Sequence, residues 1–283
     1  MTDSPTRNET GRFDGSGGTI AWRAWLPKAP ARGVVVLAHG VAEHSGRYEH
    51  VGARLTTAGF ALYALDHLGH GKSEGAKANI ESMDSAADNL AALLDLAVGE
   101  QPGIPKFLLG HSMGSVIVLQ LATRAPIDVS GIALSGPPIE ITAGNRIQRL
   151  LAPLLSRYTP NLGVLKLDSA QISRDPEVVA DYDSDPLNYR GSLPARTAVE
   201  LVDTAELIKG RLDSLTAPLL LLHGTADAIA APESTDIIAR GAASKDITVH
   251  RYGGLYHEVF NEPEQSAVLD DLVAWLEAHV IGA

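Results

Sequence analysis

A strand-to-helix turn is encoded by Phe107-Leu108-Leu109-Gly110-His111-Ser112-Met113-Gly114-Ser115-Val116, in which Gly-x-Ser-x-Gly separates an apolar run from a segment of helical spacing. In this context the serine lies on a sharp turn with strained backbone torsions, and Cβ atoms at Gly110 and Gly114 would clash with the chain. The turn raises the serine oxygen above the end of a sheet, where the following amide and the helix N-terminus favour negative charge. Ser112 is therefore the candidate nucleophile.

On both sides of this turn, short strand-like runs alternate with longer segments of helical period. The predicted strands are Thr19–Trp25, Gly33–Ala38, Phe60–Leu65, Lys106–Leu109, Val129–Ser135, Pro218–His223 and Ile247–Tyr252. The predicted helices are Ala53–Ala58, Ser85–Val98, Ser112–Thr123 and Ala267–Val280. This alternation predicts an α/β fold with a mostly parallel central sheet and helices on both of its faces.

One long segment breaks the alternation. Residues 137–206 are rich in proline, contain no convincing buried strand, and carry one amphipathic piece whose leucines include Leu150 and Leu154. Open α/β sheets bind ligands beyond the carboxyl ends of their strands, so a helical insertion at this point is expected to cover that edge. We predict that residues 1–136 and 207–283 form the core and that residues 137–206 form a helical cap.

The partners of the serine are expected in two later loops. A serine hydroxyl is a weak nucleophile unless an imidazole takes its proton and a carboxylate holds that imidazole. In this architecture the acid and then the base follow the serine, each in a loop beyond a later strand. The run Leu219–Leu222 leads to Asp227, and Ile247–Tyr252 leads to His257, so these two residues complete the predicted triad. His223 comes four residues before the acid and is interpreted as structural.

The loop after the first buried strand reads His39-Gly40-Val41-Ala42-Glu43-His44-Ser45-Gly46-Arg47-Tyr48. In this fold one oxyanion donor is the amide after the nucleophile and the other comes from this loop, which predicts the Met113 and Val41 amides. The loop histidines match no zinc-protease spacing and are expected to bond to the backbone. We therefore predict no catalytic metal and no cofactor. The glycine-rich segment 69–75 is interpreted as a turn that shapes the site.

The composition of the chain argues against several classes of protein. The 283 residues include 34 acidic and 23 basic side chains, a net charge of −11 that repels phosphate backbones and makes nucleic-acid binding unexpected. Without cysteine there is neither a disulfide framework nor a thiolate nucleophile. No apolar run reaches the roughly 18 residues of a membrane span, and the N-terminus lacks a signal-peptide core. These features predict a soluble cytoplasmic protein, with peripheral association with a membrane or the cell envelope left open.

Taken together, the motifs resemble the monoglyceride lipases of the serine α/β-hydrolase fold, the bacterial members in particular. The matching pieces, which span from about residue 10 to the C-terminus, are the loop 39–48, the segment 66–75, the elbow 110–114, Ser184-Asp185-Pro186-Leu187, His223-Gly224-x-x-Asp227 and Tyr256-His257-Glu258. The resemblance implies hydrolysis of monoacylglycerols to glycerol and fatty acid. It also implies that Glu43, Arg47 and the cap residue Tyr182 line the glycerol end of the site. A histidine that some members carry three positions after the catalytic one is Phe260 here.

Several alternatives stay open at this point. A lysophospholipase or a general carboxylesterase could use the same scaffold, and a non-catalytic lipid-binding protein could retain it. The leucines of the cap, Leu150 and Leu154 among them, either contact the acyl chain and a membrane or micelle surface, or simply pack on the core. The oligomeric state is also open, with a dimer as one alternative.

Overall fold

The computed structural model describes residues 6–141 and 146–280, and for residues 146–151 it describes the backbone alone. In these ranges the strands are, in chain order, β1 Thr6–Gly15, β2 Gly18–Pro27, β3 Gly33–Ala38, β4 Phe60–Leu65, β5 Lys106–His111, β6 Gly131–Ser135, β7 Gly163–Leu165, β8 Leu193–Pro194, β9 Leu219–Gly224 and β10 Ile247–Tyr252. The α-helices are α1 Glu49–Thr57, α2 Met83–Glu100, α3 Met113–Arg124, α4 Arg146–Tyr158, α5 Pro176–Ser184, α6 Ala195–Lys209, α7 Glu233–Gly241 and α8 Gln265–Val280.

Eight of these strands form one sheet in the order β1-β2-β4-β3-β5-β6-β9-β10. The first two are an antiparallel hairpin, β2 is antiparallel to β4, and the pairs from β4 through β10 are parallel. Both faces are covered, because successive residues of β3 point to opposite sides: Val34 and Val36 pack into one apolar cluster, and Val35 and Leu37 into the other. The predicted α/β-hydrolase architecture is confirmed.

The nucleophile turn depends on two glycines that have no room for side chains. A Cβ atom at Gly114 would overlap the carbonyl oxygen of Ala38, and one at Gly110 would lie 2.6 Å from the Cα atom of Ser115. Without those atoms, helix α3 begins directly against strand β3 and the chain reverses within one residue. That residue, Ser112, has a φ of 52° and is the N-cap of α3.

Most predicted elements agree with the observed ones to within a few residues, but two features differ. Strand β1 was not predicted, because its polar sequence lies at the sheet edge, where no position from Thr6 to Gly15 is fully buried. The insertion also contains a short antiparallel ribbon, formed by β7 and β8, in addition to its helices. The three residues of β7 are exposed, and the strand is too short for a run of strand period to mark it in the sequence.

The predicted cap, residues 137–206, contains α4, α5, the β7–β8 ribbon and most of α6. Its far boundary falls inside helix α6, whose Leu201 and Ala205 belong to the main apolar cluster of the core. The division into core and cap stays a prediction. Among the residues that the structure describes, no helix is both long enough and apolar enough to cross a membrane.

Candidate active site

A cavity of about 590 Å³ lies between the cap and the carboxyl ends of the parallel strands. The end of β5 and the loops after β3, β5, β9 and β10 contribute Gly40, Val41, Ala42, Glu43, His111, Ser112, Ile229, His257 and Glu258 to its wall. The cap contributes Lys166, Leu167, Asp168, Ser169, Ile172, Tyr182, Asp183, Tyr189, Arg190, Gly191 and Leu193. The cavity wall therefore combines apolar and polar side chains, and Ser112 is among them.

Asp227 holds the ring of His257 through one short hydrogen bond. The Nδ1 atom of His257 lies 2.7 Å from Oδ2 of Asp227, so Nδ1 carries the proton and the lone pair stays on Nε2. The amides of Ile229 and Ala230 donate to Oδ1 at 2.8 and 2.9 Å, which fixes the carboxylate plane. The structure thus brings together two of the three predicted triad residues, and the third, Ser112, lines the same cavity.

Burial and charge shift the pKa values of Asp227 and His257 in opposite directions. Burial alone would raise the pKa of Asp227, but the adjacent His257 and the hydrogen bonds outweigh it and hold that pKa well below the usual range. Burial alone would lower the pKa of His257, but the charge of Asp227 and its hydrogen bond raise it above the ordinary imidazole value. The pair therefore favours an ionised carboxylate beside an imidazole that accepts a proton readily.

The His257 ring packs closely against its surroundings. Gly136, with a φ of 53°, leaves space beside the ring, since a Cβ atom there would lie 3.2 Å from the imidazole. The ring of His111 lies 4.9 Å from that of His257, centroid to centroid. Burial and the neighbouring His257 lower the pKa of His111 to about 3, so this second imidazole is neutral at ordinary pH. The Ser112 hydroxyl itself makes no hydrogen bond to the described residues.

The loop that was expected to supply an oxyanion donor is held from two sides. Oε1 of Glu43 accepts a hydrogen bond from the Gly40 amide at 2.6 Å, so that amide is already used and Val41 is the next one along the cavity wall. Ala42 has a φ of 65°, and its carbonyl oxygen accepts hydrogen bonds from the Tyr182 hydroxyl at 3.1 Å and the Tyr189 amide at 2.9 Å. The cap therefore fixes the loop. Met113 directly follows Ser112 and begins α3.

Behind this loop lies a buried ionic network that the sequence analysis did not find. Arg47 Nη1 lies 2.7 Å from Oε2 of Glu43 and 2.7 Å from Oε1 of Glu258, and Nη2 lies 2.7 Å from Oε2 of Glu258. Burial raises the pKa of Glu43. Burial would raise that of Glu258 too, but Arg47 outweighs it and lowers it to about 2. The only sequence signal for Glu258 was its place directly after His257.

Of the residues predicted at the glycerol end, Glu43 and Tyr182 line the cavity. Arg47 lies behind them, and it is not among the described residues that form the cavity wall. Its guanidinium carbon lies 4.9 Å from the centre of the Tyr182 ring, so it supports the wall rather than forming it. The cap leucines differ from each other: Leu154 is 54% exposed and is absent from the described cavity wall, whereas the side chain of Leu150 lies outside the described residues.

Three of the loop histidines bond to the backbone as expected, whereas Nε2 of His44 lies 2.8 Å from the carboxylate of Asp185. His39 Nδ1 lies 2.7 Å from the Gly40 carbonyl oxygen, His67 Nε2 lies 3.2 Å from that of His39, and His70 Nδ1 lies 2.9 Å from that of Leu68. In the described parts of the chain, no group of three or more potential ligand side chains is arranged to hold a metal ion. The glycine-rich segment turns around Asp66, whose carboxylate binds the amides of Ser45 and Lys72.

Replacing Arg47 by Met should destabilise the fold by about 3–5 kcal/mol, because it leaves Glu43 and Glu258 as buried charges without their cationic partner. The low pKa of Glu258 stabilises the fold above pH 4.5, and this contribution is lost as the pH falls toward 2. The loss of unfolding free energy in Arg47→Met should therefore be largest at neutral pH and should shrink below pH 4.5. Urea unfolding across that pH range measures it.

The matched control is Arg32→Met, which breaks the exposed pair of Arg32 with Glu277 and should cost less than about 1 kcal/mol. Equal losses for the two variants, or a deficit of Arg47→Met that does not depend on pH, would contradict the assignment.

Comparisons of the sequence and the fold with those of known proteins show the family of this chain. Residues 29–264 match the family described as "Serine aminopeptidase, S33". A monoacylglycerol lipase of Mycolicibacterium smegmatis is 42% identical over 98% of this chain and 99% of its own length. The monoglyceride lipase of Homo sapiens is 32% identical over 90% of this chain and 85% of its own. The crystal structure of a Paleococcus ferrophilus monoacylglycerol lipase has a TM-score of 0.81 at 32% identity and covers 96% of this chain and 99% of that one. The chain therefore belongs to the monoacylglycerol lipase family, a group of carboxylic ester hydrolases with the α/β-hydrolase fold.

Proposed function

We propose that the protein hydrolyses monoacylglycerols to a free fatty acid and glycerol, with an acyl-enzyme formed on Ser112. The observation that carries the proposal is the 2.7 Å bond between Asp227 and His257 at a cavity that Ser112 also lines. An elbow serine, an imidazole with a free Nε2 lone pair and a buried carboxylate form the minimal set for ester cleavage by acyl transfer. Family membership supports the same chemistry.

The reaction runs in two steps. His257 Nε2 takes the proton of the Ser112 hydroxyl as the serine oxygen attacks the ester carbonyl, and the Val41 and Met113 amides stabilise the oxyanion. His257 then donates that proton to the departing glycerol oxygen. In the second step His257 takes a proton from water, the resulting hydroxide attacks the acyl carbonyl, and the proton returns to Ser112 as the fatty acid leaves. Asp227 stays ionised and stabilises the imidazolium in both steps.

The Ser112 hydroxyl must turn toward His257 for the first step. Catalytic hydrogen bonds are often long or unmade in a free enzyme and form when the substrate binds. The strained turn favours this movement, because it exposes the serine oxygen to the cavity while its main chain is held by a 2.9 Å bond from its amide to the Ser135 carbonyl oxygen. We infer that only the side chain of Ser112 needs to move.

The cavity wall suits a single acyl chain with a small polar head. Leu167, Ile172, Leu193 and Ile229 give an apolar surface, on which each buried methylene contributes about 0.8 kcal/mol. Glu43, Tyr182 and Glu258 offer polar groups on the wall, and we assign the glycerol hydroxyls to this side. Arg47 contributes indirectly, since it keeps both carboxylates in place.

A lysophospholipase activity is the second candidate. Lys166 and Arg190 also line the cavity, and two cations at the cap could pair with a headgroup phosphate. Two acidic neighbours on the same wall, Asp168 and Asp183, weaken that attraction. We therefore rank the neutral glycerol headgroup first.

A substrate panel tests the proposal. Turnover of 1- and 2-monoacylglycerols should exceed that of di- and triacylglycerols, lysophosphatidylcholine and short p-nitrophenyl esters. Ser112→Ala should lower kcat by about a millionfold, as loss of the nucleophile does in comparable triads. The variant should also fail to react with a fluorophosphonate that labels the wild type.

Ser130→Ala, at the opposite end of β6 from the site, is the control and should keep both activity and labelling. Faster turnover of lysophosphatidylcholine would replace the proposed substrate, and residual activity in Ser112→Ala would move the nucleophile elsewhere.

The pH profile tests the role of His257. Because Asp227 raises the pKa of His257, kcat/KM should fall as the pH decreases through a single ionisation whose midpoint lies above 6.5. Asp227→Asn should lower kcat by about 10,000-fold, because the imidazole then loses both its orientation and its counter-charge. The measurement is kcat/KM with a soluble ester between pH 5 and 9. A flat profile would rule out His257 as the base.

We also propose that the cap touches a lipid surface. Five large apolar side chains on or beside α4 and in β7 are exposed: Leu154, Tyr158, Leu162, Val164 and Leu165. An exposed apolar patch of this kind is typical of contact with lipid or with another protein. A monoacylglycerol dissolves in lipid rather than in water, so a cap that rests on the membrane would shorten the path of the substrate into the cavity.

Leu154→Asp combined with Leu162→Asp should reduce binding to phosphatidylcholine vesicles by about tenfold or more, since each charge opposes transfer into the interface. Hydrolysis of a short soluble ester should be unchanged. The control is Leu207→Asp, which alters a leucine of α6 with 43% exposure that lies outside the patch. Unchanged vesicle binding in the double variant would refute the lipid contact.

A further inference from the structure

A second imidazole contacts the acid of the site. His223 is the penultimate residue of strand β9 and is fully buried, with none of its surface exposed. Its Nε2 atom lies 3.0 Å from Oδ2 of Asp227, the same oxygen that binds His257 at 2.7 Å. The interpretation of His223 as a structural residue is compatible with this contact, since a buried imidazole needs hydrogen-bond partners. The contact also links the ring directly to the acid of the predicted triad.

The hydrogen-bond geometry fixes the proton of this ring. Nε2 of His223 faces two acceptors, Oδ2 of Asp227 and, at 3.1 Å, the carbonyl oxygen of Ala230. A nitrogen between two acceptors must carry the hydrogen. Nδ1 is buried and has no partner among the described residues, so a proton placed there would be left without an acceptor. His223 therefore donates from Nε2 to the acid.

We propose that His223 is a positioning residue that acts through Asp227: its Nε2–H group shares Oδ2 with His257, holds the carboxylate in place and limits the proton affinity of the catalytic imidazole. The proposal rests on the proposed function, since it concerns the base of that reaction. It adds a fourth member to the predicted triad, at a position that touches neither the substrate nor the serine.

The effect follows from how the carboxylate charge is shared. Asp227 accepts four hydrogen bonds, two from amides on Oδ1 and two from imidazoles on Oδ2. Each donor stabilises the negative charge and leaves less of it to attract the proton of His257. Without the bond from His223, the carboxylate would hold the imidazolium more tightly, and the base would stay protonated to higher pH. The carboxylate of Asp227 would also be freer to rotate away from Nδ1 of His257.

The effect of His223 on the pKa of His257 can be measured only if the other charged or titratable groups near His257 keep their positions. They come from three directions: Glu258 on its own loop, Glu43 on the loop after β3, and His111 at the end of β5, whose ring is tilted by 50° against that of His257. Arg47 binds both glutamates. None of these groups contacts His223, so substitutions at His223 leave them in place.

Two variants distinguish the loss of the hydrogen-bond donor of His223 from a change in the volume of its side chain. His223→Gln keeps an N–H donor at the position of Nε2, whereas His223→Leu fills similar space without one. In His223→Leu the acid limb of kcat/KM should move to higher pH by about one unit, and kcat at the plateau should fall about tenfold. His223→Gln should restore the wild-type midpoint to within about 0.3 units and most of the turnover. Circular dichroism and thermal unfolding would establish that both variants fold.

The proposal is overturned if folded His223→Leu has the wild-type midpoint, or if His223→Gln is as impaired as His223→Leu. A measurement on the wild type covers the case in which His223→Leu does not fold. Nitrogen-15 NMR of labelled histidines should show that the His223 ring carries a hydrogen on Nε2, and a ring with its only hydrogen on Nδ1 would also overturn the proposal. If the wild type hydrolyses no ester at all, the proposed function fails, whereas the NMR titration of His257 in the variants still tests the role of His223.

Discussion

The site depends on the contact between the start of helix α3 and the end of strand β3. Because Gly114 presents only a hydrogen atom to the carbonyl oxygen of Ala38, the helix can begin where the strand stops. The chain must then reverse at Ser112, which adopts positive φ and points into the cavity. A single close approach of two backbones thus sets the place of the serine, the direction of the helix N-terminus and the position of the amide of Met113.

Two separate buried charge systems meet at His257. On one side the carboxylate of Asp227 is held by two amides and two imidazoles, and it raises the proton affinity of the base. On the other side Glu258 is neutralised by Arg47, which also holds Glu43 against the loop after β3. The second system joins loops that are 211 residues apart in sequence. The geometry around the base is therefore fixed from both directions.

The sequence was most informative where burial is complete on both faces. The predicted bounds of the fully buried strands β3 and β4 coincide with the observed ones, since a glycine or charged residue interrupts the apolar run near each end. The bounds of β10 coincide as well, although none of its residues is fully buried, because Asp246 and Gly253 flank the run. The order of the acid and base followed from connectivity, and the structure brings Asp227 and His257 into contact. Their catalytic roles, with that of Ser112, stay predictions. The sequence could not reveal β1, whose residues alternate at a half-exposed edge, or the bond between Arg47 and Glu258, because no local pattern encodes a contact between distant loops.

The hydrogen bonds that Ala42 receives from Tyr182 and Tyr189 have a consequence for how this enzyme could be engineered. Insertions in α/β folds are commonly regarded as modules that can be exchanged between relatives to alter which molecules are accepted. Here the insertion holds the backbone next to Val41 in a left-handed conformation, so a transplanted insertion without an equivalent pair of donors would release that residue. Chimeras should therefore retain residues 182–189 and exchange only the segment around α4.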